Sequence, residues 1–323
     1  MKNYCTIIFP MYIISISFSL SSNSWLSIWI GMEMNLLTFI FMLLETKTFN
    51  STESSMKYFL IQSAGSLMFL FSIAMQSSFS NEPFFISALV PPLALMLKSG
   101  IAPLHAWTPD ISMKLSPMNL FLFTTMQKII PLLVMFSSWS LLMKWVIPLN
   151  IIVGSLGGIS QSSINKMIIF SSINNSGWMM LSLTESLFLF YIFFLFYFKM
   201  NFLLMNFLVE NKIKWTVQIK NQNFFKKISF SSLMMSLSGL PPFMGFIPKW
   251  IILKKVVFFL PMVSLISIFM SIFTLFFYMK LTISMLLSSS ASKKWKVHFP
   301  SKWLSVTMTL LNLTSCLPFI LMT

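Results

Sequence analysis

The segments "LKSGIAPLHAW" (Leu97–Trp107) and "SLSGLPPFMGFIPKW" (Ser236–Trp250) interrupt two long apolar runs with the same device. Ser99-Gly100-Ile101-Ala102-Pro103 in the first matches Ser238-Gly239-Leu240-Pro241-Pro242 in the second. Proline removes a backbone donor and glycine admits conformations that end a helix, so each run is expected to be discontinuous. Irregular backbone inside an apolar run is tolerated where protein buries it or where it lines a wet cavity. Paired Gly/Pro interruptions in corresponding places point to a transport site built from an internal repeat.

The rest of the chain is built to surround such a site with lipid. Hydrophobic residues make up 56% and charged residues 9% of 323 residues, and the mean hydropathy is +0.82. Apolar stretches of about 20 residues recur along the whole length, which excludes a soluble domain and gives an all-α integral membrane protein. The runs are long and uniformly apolar, unlike the alternating segments of about 10 residues that make a barrel. The pattern predicts about eleven transmembrane helices, at 4–21, 23–44, 54–77, 84–105, 116–138, 141–160, 165–183, 185–208, 226–253, 256–280 and 301–321. The N-terminal run "YCTIIFPMYIISISFSL" after Lys2 lacks a small-x-small cleavage site, so it is assigned to a retained first helix. Together these form one polytopic domain, 1–323. The interrupted runs are its fourth and ninth helices, and loop parity makes them antiparallel. That is the order of an inverted repeat: helices 1–5 (about 4–138) against helices 6–10 (about 141–280), followed by an extra C-terminal helix.

A net charge of +15 raises nucleic acid as a partner, but the distribution of charge argues against it. Assigning loops alternately to two sides places fifteen lysines with the N-terminus: Lys2, Lys47, Lys57, Lys114, Lys166, Lys212, Lys214, Lys220, Lys226, Lys227, Lys280, Lys293, Lys294, Lys296 and Lys302. The other side receives three, Lys144, Lys254 and Lys255. Such a bias puts the N-terminus in the cytoplasm or matrix and the C-terminus opposite. The basic side suits anionic lipids such as cardiolipin.

The residues exclude several chemistries. Cys5 and Cys316 stand at opposite ends, and His105 and His298 form no metal-ligating pair in sequence. No iron–sulfur or haem spacing and no glycine-rich phosphate loop occurs. All 22 basic residues are lysine. With abundant Phe, Met and Ser, this usage fits an AT-rich invertebrate mitochondrial genome, ordinary AT-rich bacterial bias being the alternative. Lysine, unlike arginine, is a point charge that can release its proton.

Five charges remain inside the expected spans: Glu33, Lys98, Lys128, Lys199 and Lys249. Each costs about 2.5–3.5 kcal/mol at a helix centre, so function is the first hypothesis. Glu33 lies about ten residues from either end of its span, roughly 15 Å from each interface. The bland alternative for Glu33 is hydrogen bonding between helices; for Lys98 it is snorkelling to the interface. The functional alternative is proton exchange, because a dry site disfavours charge and a nearby opposite charge restores it. Pro131 is expected to distort the fifth helix just after Lys128. His105, beside the first interruption, is a candidate relay or an interfacial histidine. Lys199 has no partner that the sequence names. Glu53 and Lys57 suggest the start of a helix capped by Ser51 or Thr52, with an i,i+4 ion pair.

The blocks "NSWLSIWIGMEMNLLTF", "STESSMKYFL", "LKSGIAPLHAWTPD", "MQKIIPLL", "NKMIIFSSINNSGWMM" and "SLSGLPPFMGFIPKW" occur in order from about residue 23 to 250. Together they resemble the chain 2 family of mitochondrial NADH:ubiquinone oxidoreductase (respiratory complex I), in an invertebrate form. The final 70 residues or so agree only in hydropathy. The resemblance implies an antiporter-like, proton-pumping subunit of the membrane arm, in the mitochondrial inner membrane, with the N-terminus in the matrix and the C-terminus in the intermembrane space. It implies that Glu33, Lys98, Lys128 and Lys249 carry proton translocation. It also implies that this chain binds no cofactor, while other complex I subunits hold NADH, FMN, iron–sulfur clusters and ubiquinone. The chain departs from the family's pattern at Met126, at Asn165-Lys166 and at Lys199, so Lys166 is left outside the pump. A stand-alone cation/proton antiporter and a structural scaffold are the competing functions.

Overall fold

The computed structural model describes residues 2–46, 48–78, 84–220, 224–241 and 243–287. The helix expected at 301–321 lies outside the described residues, as do Lys47, Glu82, Pro242, His298, Cys316 and the lysines from Lys293 to Lys302. Among the described residues the chain is helical apart from turns and one isolated bridge between Ser163 and Trp215. The helices are α1 (Lys2–Ser21), α2 (Trp25–Leu43), α3 (Phe49–Ser78), α4 (Phe84–Ser99), α5 (Trp107–Ser112), α6 (Pro117–Thr124) and α7 (Ile129–Gly157). They continue as α8 (Ile164–Leu183), α9 (Leu187–Asn211), α10 (Thr216–Lys220), α11 (Phe224–Ser238), α12 (Phe246–Phe259) and α13 (Pro261–Leu287). Five described segments are long and apolar enough to cross a membrane: Trp25–Leu43, Phe49–Met75, Pro117–Gly157, Leu187–Asn211 and Pro261–Leu287.

Two compact units divide the chain, one up to Trp145 and one from Val146. In the first unit α2 packs on α1 and α3, and α3 on α4. Rings from α2, α3, α5 and α6 fill its centre: Phe39 lies 5.0 Å from Tyr58, and Trp107 5.6 Å from Phe123. In the second unit α8 is the core, with every residue except Lys166 buried. A helix with no free face must be sheathed by protein, and α9 and α12 pack on it.

Local sequence explains the boundaries. Ser24, Ser116 and Ser186 cap α2, α6 and α9 by accepting the N–H three residues on, and Pro117 occupies the first turn of α6 where no donor is needed. The cap of α3 differs from the expectation of Ser51 or Thr52. Thr48 Oγ1 accepts from Ser51 N at 3.2 Å while Ser51 Oγ accepts from Thr48 N at 2.9 Å, a reciprocal box that starts the helix at Phe49. The Glu53–Lys57 pair forms at 2.9 Å, and Lys114 joins it. Trp139 leaves helical geometry (φ −127°, ψ 42°) inside α7, where the sequence separates its fifth and sixth runs. Many buried serines cost little because they bond back within their own helix: Ser171, Ser172, Ser176 and Ser236 donate to carbonyls three residues earlier.

Candidate functional site

The two Ser-Gly motifs fold into the same cap. At the end of α4, Gly100 N donates to Leu97 O (3.3 Å) and Ile101 N to Met96 O (3.2 Å). At the end of α11, Gly239 N donates to Ser236 O (3.2 Å) and Leu240 N to Met235 O (3.4 Å). This crossed pair of bonds is the Schellman geometry, which needs a left-handed residue after the cap. Gly100 at φ +65° and Gly239 at φ +84° supply it. The serine ends the helix, the glycine reverses the backbone, and Pro103 and Pro241 lack the N–H that would continue it.

Each cap leaves the carbonyl just before its serine without a helical partner, and a side chain fills the gap. In the first unit Gln62 Nε2, from α3, donates to Lys98 O at 2.9 Å. In the second, Lys249 Nζ donates to Ser238 O at 2.8 Å and Leu237 O at 3.4 Å. The negative end of one helix thus meets a neutral amide, and that of the other an ammonium.

In the first unit Lys98 sits in the last turn of α4 with its side chain buried. Its Nζ lies 3.7 Å from Glu33 Oε1 of α2 and 3.9 Å from Met32 Sδ. Glu33 Oε1 is buried and makes no hydrogen bond among the described residues, so this is an ion pair with a gap. A small cavity lined by Met32, Asn35, Tyr58, Gln62, Lys98 and Gln127 adjoins it and is roomy enough to admit water. Across it Asn35 and Gln127 exchange two amide bonds of 3.3 and 3.2 Å.

Lys128 follows Gln127 directly and is buried in a 3-10 turn, Met126–Lys128. Pro131 cannot donate to the carbonyl four residues back, that of Gln127, so the irregular turn sits where the ladder is broken. The turn holds Gln127 against Asn35 on α2, two residues from Glu33. A continuous helix would place these groups differently.

In the second unit Lys249 lies in the first turn of α12 and is buried. Besides the two carbonyls, its Nζ stands 5.6 Å from the ring centre of Trp178 on α8. The adjoining cavity is lined by Asn175, Tyr197, Met200, Ser236 and Lys249 among others. Gly245 makes this possible: a Cβ there would fall 1.8 Å from Ser236 O, so only glycine lets the chain double back over the end of α11.

His105 is partly exposed, with Nδ1 3.1 Å from Pro103 O, and its own carbonyl accepts from Thr108. Lys199 is exposed at the centre of α9. Lys227 differs from its expected place in a loop. It is buried on α11 and donates to Met285 O at 3.2 Å, a carbonyl in the last turn of α13. Sequence reasoning did not single out Gln62, Asn35 or Gln127; a neutral amide carries no cost flag in an apolar run, and only the packing shows its role. Among the described residues no three His, Cys, Asp or Glu side chains gather as a metal site.

Comparison with known proteins identifies the scaffold. Residues 22–277 match the model of the NADH:quinone oxidoreductase/Mrp antiporter transmembrane family. The NADH-ubiquinone oxidoreductase chain 2 of Anopheles gambiae is 34% identical over 304 residues, covering 90% of this chain and 89% of that one. The chain belongs to the NADH-ubiquinone oxidoreductase chain 2 family. Its antiporter-like fold is shared with a chain of respiratory complex I from Thermus thermophilus (TM-score 0.78, 18% identity, 97% of this chain and 78% of that one). A chain of the Mrp complex from Dietzia is similarly close (TM-score 0.77, 14% identity, 98% and 75%). In this chain 2 family member the twin caps, Glu33, Lys98, Lys128 and Lys249 all lie within the matched region.

Proposed function

We propose that the chain is an antiporter-like, proton-translocating subunit in the membrane arm of an NADH:ubiquinone oxidoreductase. It couples electron transfer from NADH to ubiquinone to proton pumping across the mitochondrial inner membrane. The N-terminus faces the matrix and the C-terminus the intermembrane space. In this reading the chain crosses about eleven times, its fourth and ninth helices are discontinuous at the twin caps, and helices 1–5 repeat as 6–10 in inverted order. Other subunits hold NADH, FMN, iron–sulfur clusters and ubiquinone, and cardiolipin binds the lysine-rich side.

The observation that carries the proposal is the Glu33–Lys98 contact of 3.7 Å at a capped helix end, beside a cavity that admits water. Two unit charges at about 4 Å interact by roughly 4 kcal/mol at an effective dielectric of 20. Carrying a charge against the membrane potential costs about 2.3 kcal/mol per 100 mV, so the pair works on the scale of the task. With Glu33 close, the Lys98 ammonium keeps its proton; as Glu33 withdraws, that attraction is lost and the proton passes to water in the adjoining cavity. Redox chemistry elsewhere in the complex drives that movement. Lys128 receives the proton by way of water, Lys249 delivers it toward the far side, and His105 serves as a relay.

The competing reading, a subunit of a stand-alone cation/proton antiporter, draws on the fold shared with the Mrp complex. Native electrophoresis of solubilised mitochondrial membranes separates the two. The chain is expected to migrate with NADH:ubiquinone oxidoreductase activity. Migration in a smaller assembly without NADH dehydrogenase activity would contradict the proposal.

A further inference from the structure

We propose that the outer face of α9 around Lys199 is a subunit interface, occupied by a transmembrane segment that carries a carboxylate at mid-bilayer depth. Lys199 stands at the centre of α9, a segment long and apolar enough to cross a membrane. Twelve residues separate it from either end, about 18 Å at 1.5 Å per residue. The half-thickness of the hydrocarbon is about 15 Å, too far for a lysine to reach the head groups.

The side chain faces away from its own unit. Phe190, Phe193, Tyr197, Met200 and Leu204 are buried against the neighbouring helices, whereas Lys199 is exposed. Phe188, Tyr191, Leu195 and Phe202 share its face at helical spacing and are 41–72% exposed. An ammonium in the middle of such a stripe meets acyl chains unless protein covers it, and charges at that depth are nearly always paired.

Among the described residues no ion pair joins Lys199 to a carboxylate. The chain's seven carboxylates are Glu33, Glu45, Glu53, Glu82, Asp110, Glu185 and Glu210. Glu33 faces Lys98, and Glu53 faces Lys57 and Lys114. Glu185 and Glu210 flank the ends of α9, more than ten residues from Lys199. Residues 288–323 contain neither Asp nor Glu. Charge complementarity commits the occupant to a foreign helix, and large aromatic side chains are the kind enriched at protein interfaces. The inference rests on the chain belonging to a multisubunit membrane assembly.

The test uses the intact complex with Lys199→Met, Lys199→Glu and Lys199→Arg. A density map of the wild-type complex is expected to place Lys199 Nζ within about 4 Å of a carboxylate of another subunit. After graded detergent extraction, the Met and Glu variants are expected to retain less intact complex, on the order of tenfold or more, with Arg close to wild type. Acyl chains over Lys199, or a Met variant that survives extraction undiminished, would overturn the interface. Normal proton pumping by that Met variant would leave the proposed function standing. A chain found in an assembly without NADH dehydrogenase activity would overturn the function, while position 199 bare to lipid in that assembly would still contradict the interface.

Discussion

Lys249 donates its ammonium to Ser238 O at 2.8 Å, joining the start of one helix to the end of the helix before it. Eleven residues separate the two, and the chain closes the distance by doubling back at Gly245. The lysines of the two interrupted runs look unlike in sequence, one before its Ser-Gly and one well after. In the fold both stand at the capped C-terminal end of a helix, one from within it and one from its successor.

Glycine tolerance at this join should be graded. Gly239→Ala puts a non-glycine residue at φ +84°, costing about 1–2 kcal/mol, and crowds the flexible stem of Lys249. Gly245→Ala drives a methyl into the Ser236 carbonyl, which cannot move aside. The expected order of assembled complex on native gels is wild type, then Gly239→Ala, then Gly245→Ala with almost none. Equal yields would show that the doubled-back join is absent.

Gln62→Met removes the donor to Lys98 O and leaves a buried carbonyl unpaired. The expected loss is about 1–3 kcal/mol, read as a lower melting temperature of the purified complex. Gln62→Glu keeps the size but exchanges a donor for an acceptor beside a carbonyl, and should be worse. Unchanged melting in both variants would mean that water serves the carbonyl equally well.

Much of this architecture is legible in the sequence because its signals are costly ones. Gly, Pro and a mid-span carboxylate are unfavourable in an apolar helix, so their presence at Gly100, Gly239, Pro131 and Glu33 flags a structural or functional demand. Gln62, Asn35 and Gln127 escape notice because neutral amides sit in lipid-spanning segments at modest cost, and their partners depend on how neighbouring helices register. Lys227 escapes for a related reason: at the edge of its run it resembles a loop lysine, and only the packing of α11 on α13 shows that it reaches Met285 O. The start of α3 turns on whether Thr48 or a later hydroxyl reaches the free N–H groups, which spacing alone does not decide.

Asn35 and Gln127 invite a double-mutant cycle. Either Asn35→Leu or Gln127→Leu deprives the opposite amide of its partner, at about 1–3 kcal/mol each. The double variant removes both amides and should cost less than the two single losses added together. Thermal inactivation rates of the complex measure this, and strict additivity would show that the pair is not coupled.

Glu53→Gln is the control for carboxylate chemistry. Glu53 is partly exposed and paired with Lys57 and Lys114, where solvent and salt screen the interaction. Coupled turnover should be unchanged. A loss as large as that of a Glu33 variant would show that removing any acid harms the chain.

The most direct measurement is the rate of proton pumping and of coupled NADH:ubiquinone turnover by Glu33→Gln complex in sealed vesicles, beside Lys98→Met. The account predicts full assembly of both, with pumping and coupled NADH:ubiquinone turnover both depressed, because neither variant can hold and release the proton at Lys98. Wild-type pumping and turnover in both variants would contradict it and leave Glu33 and Lys98 as helix-joining groups alone.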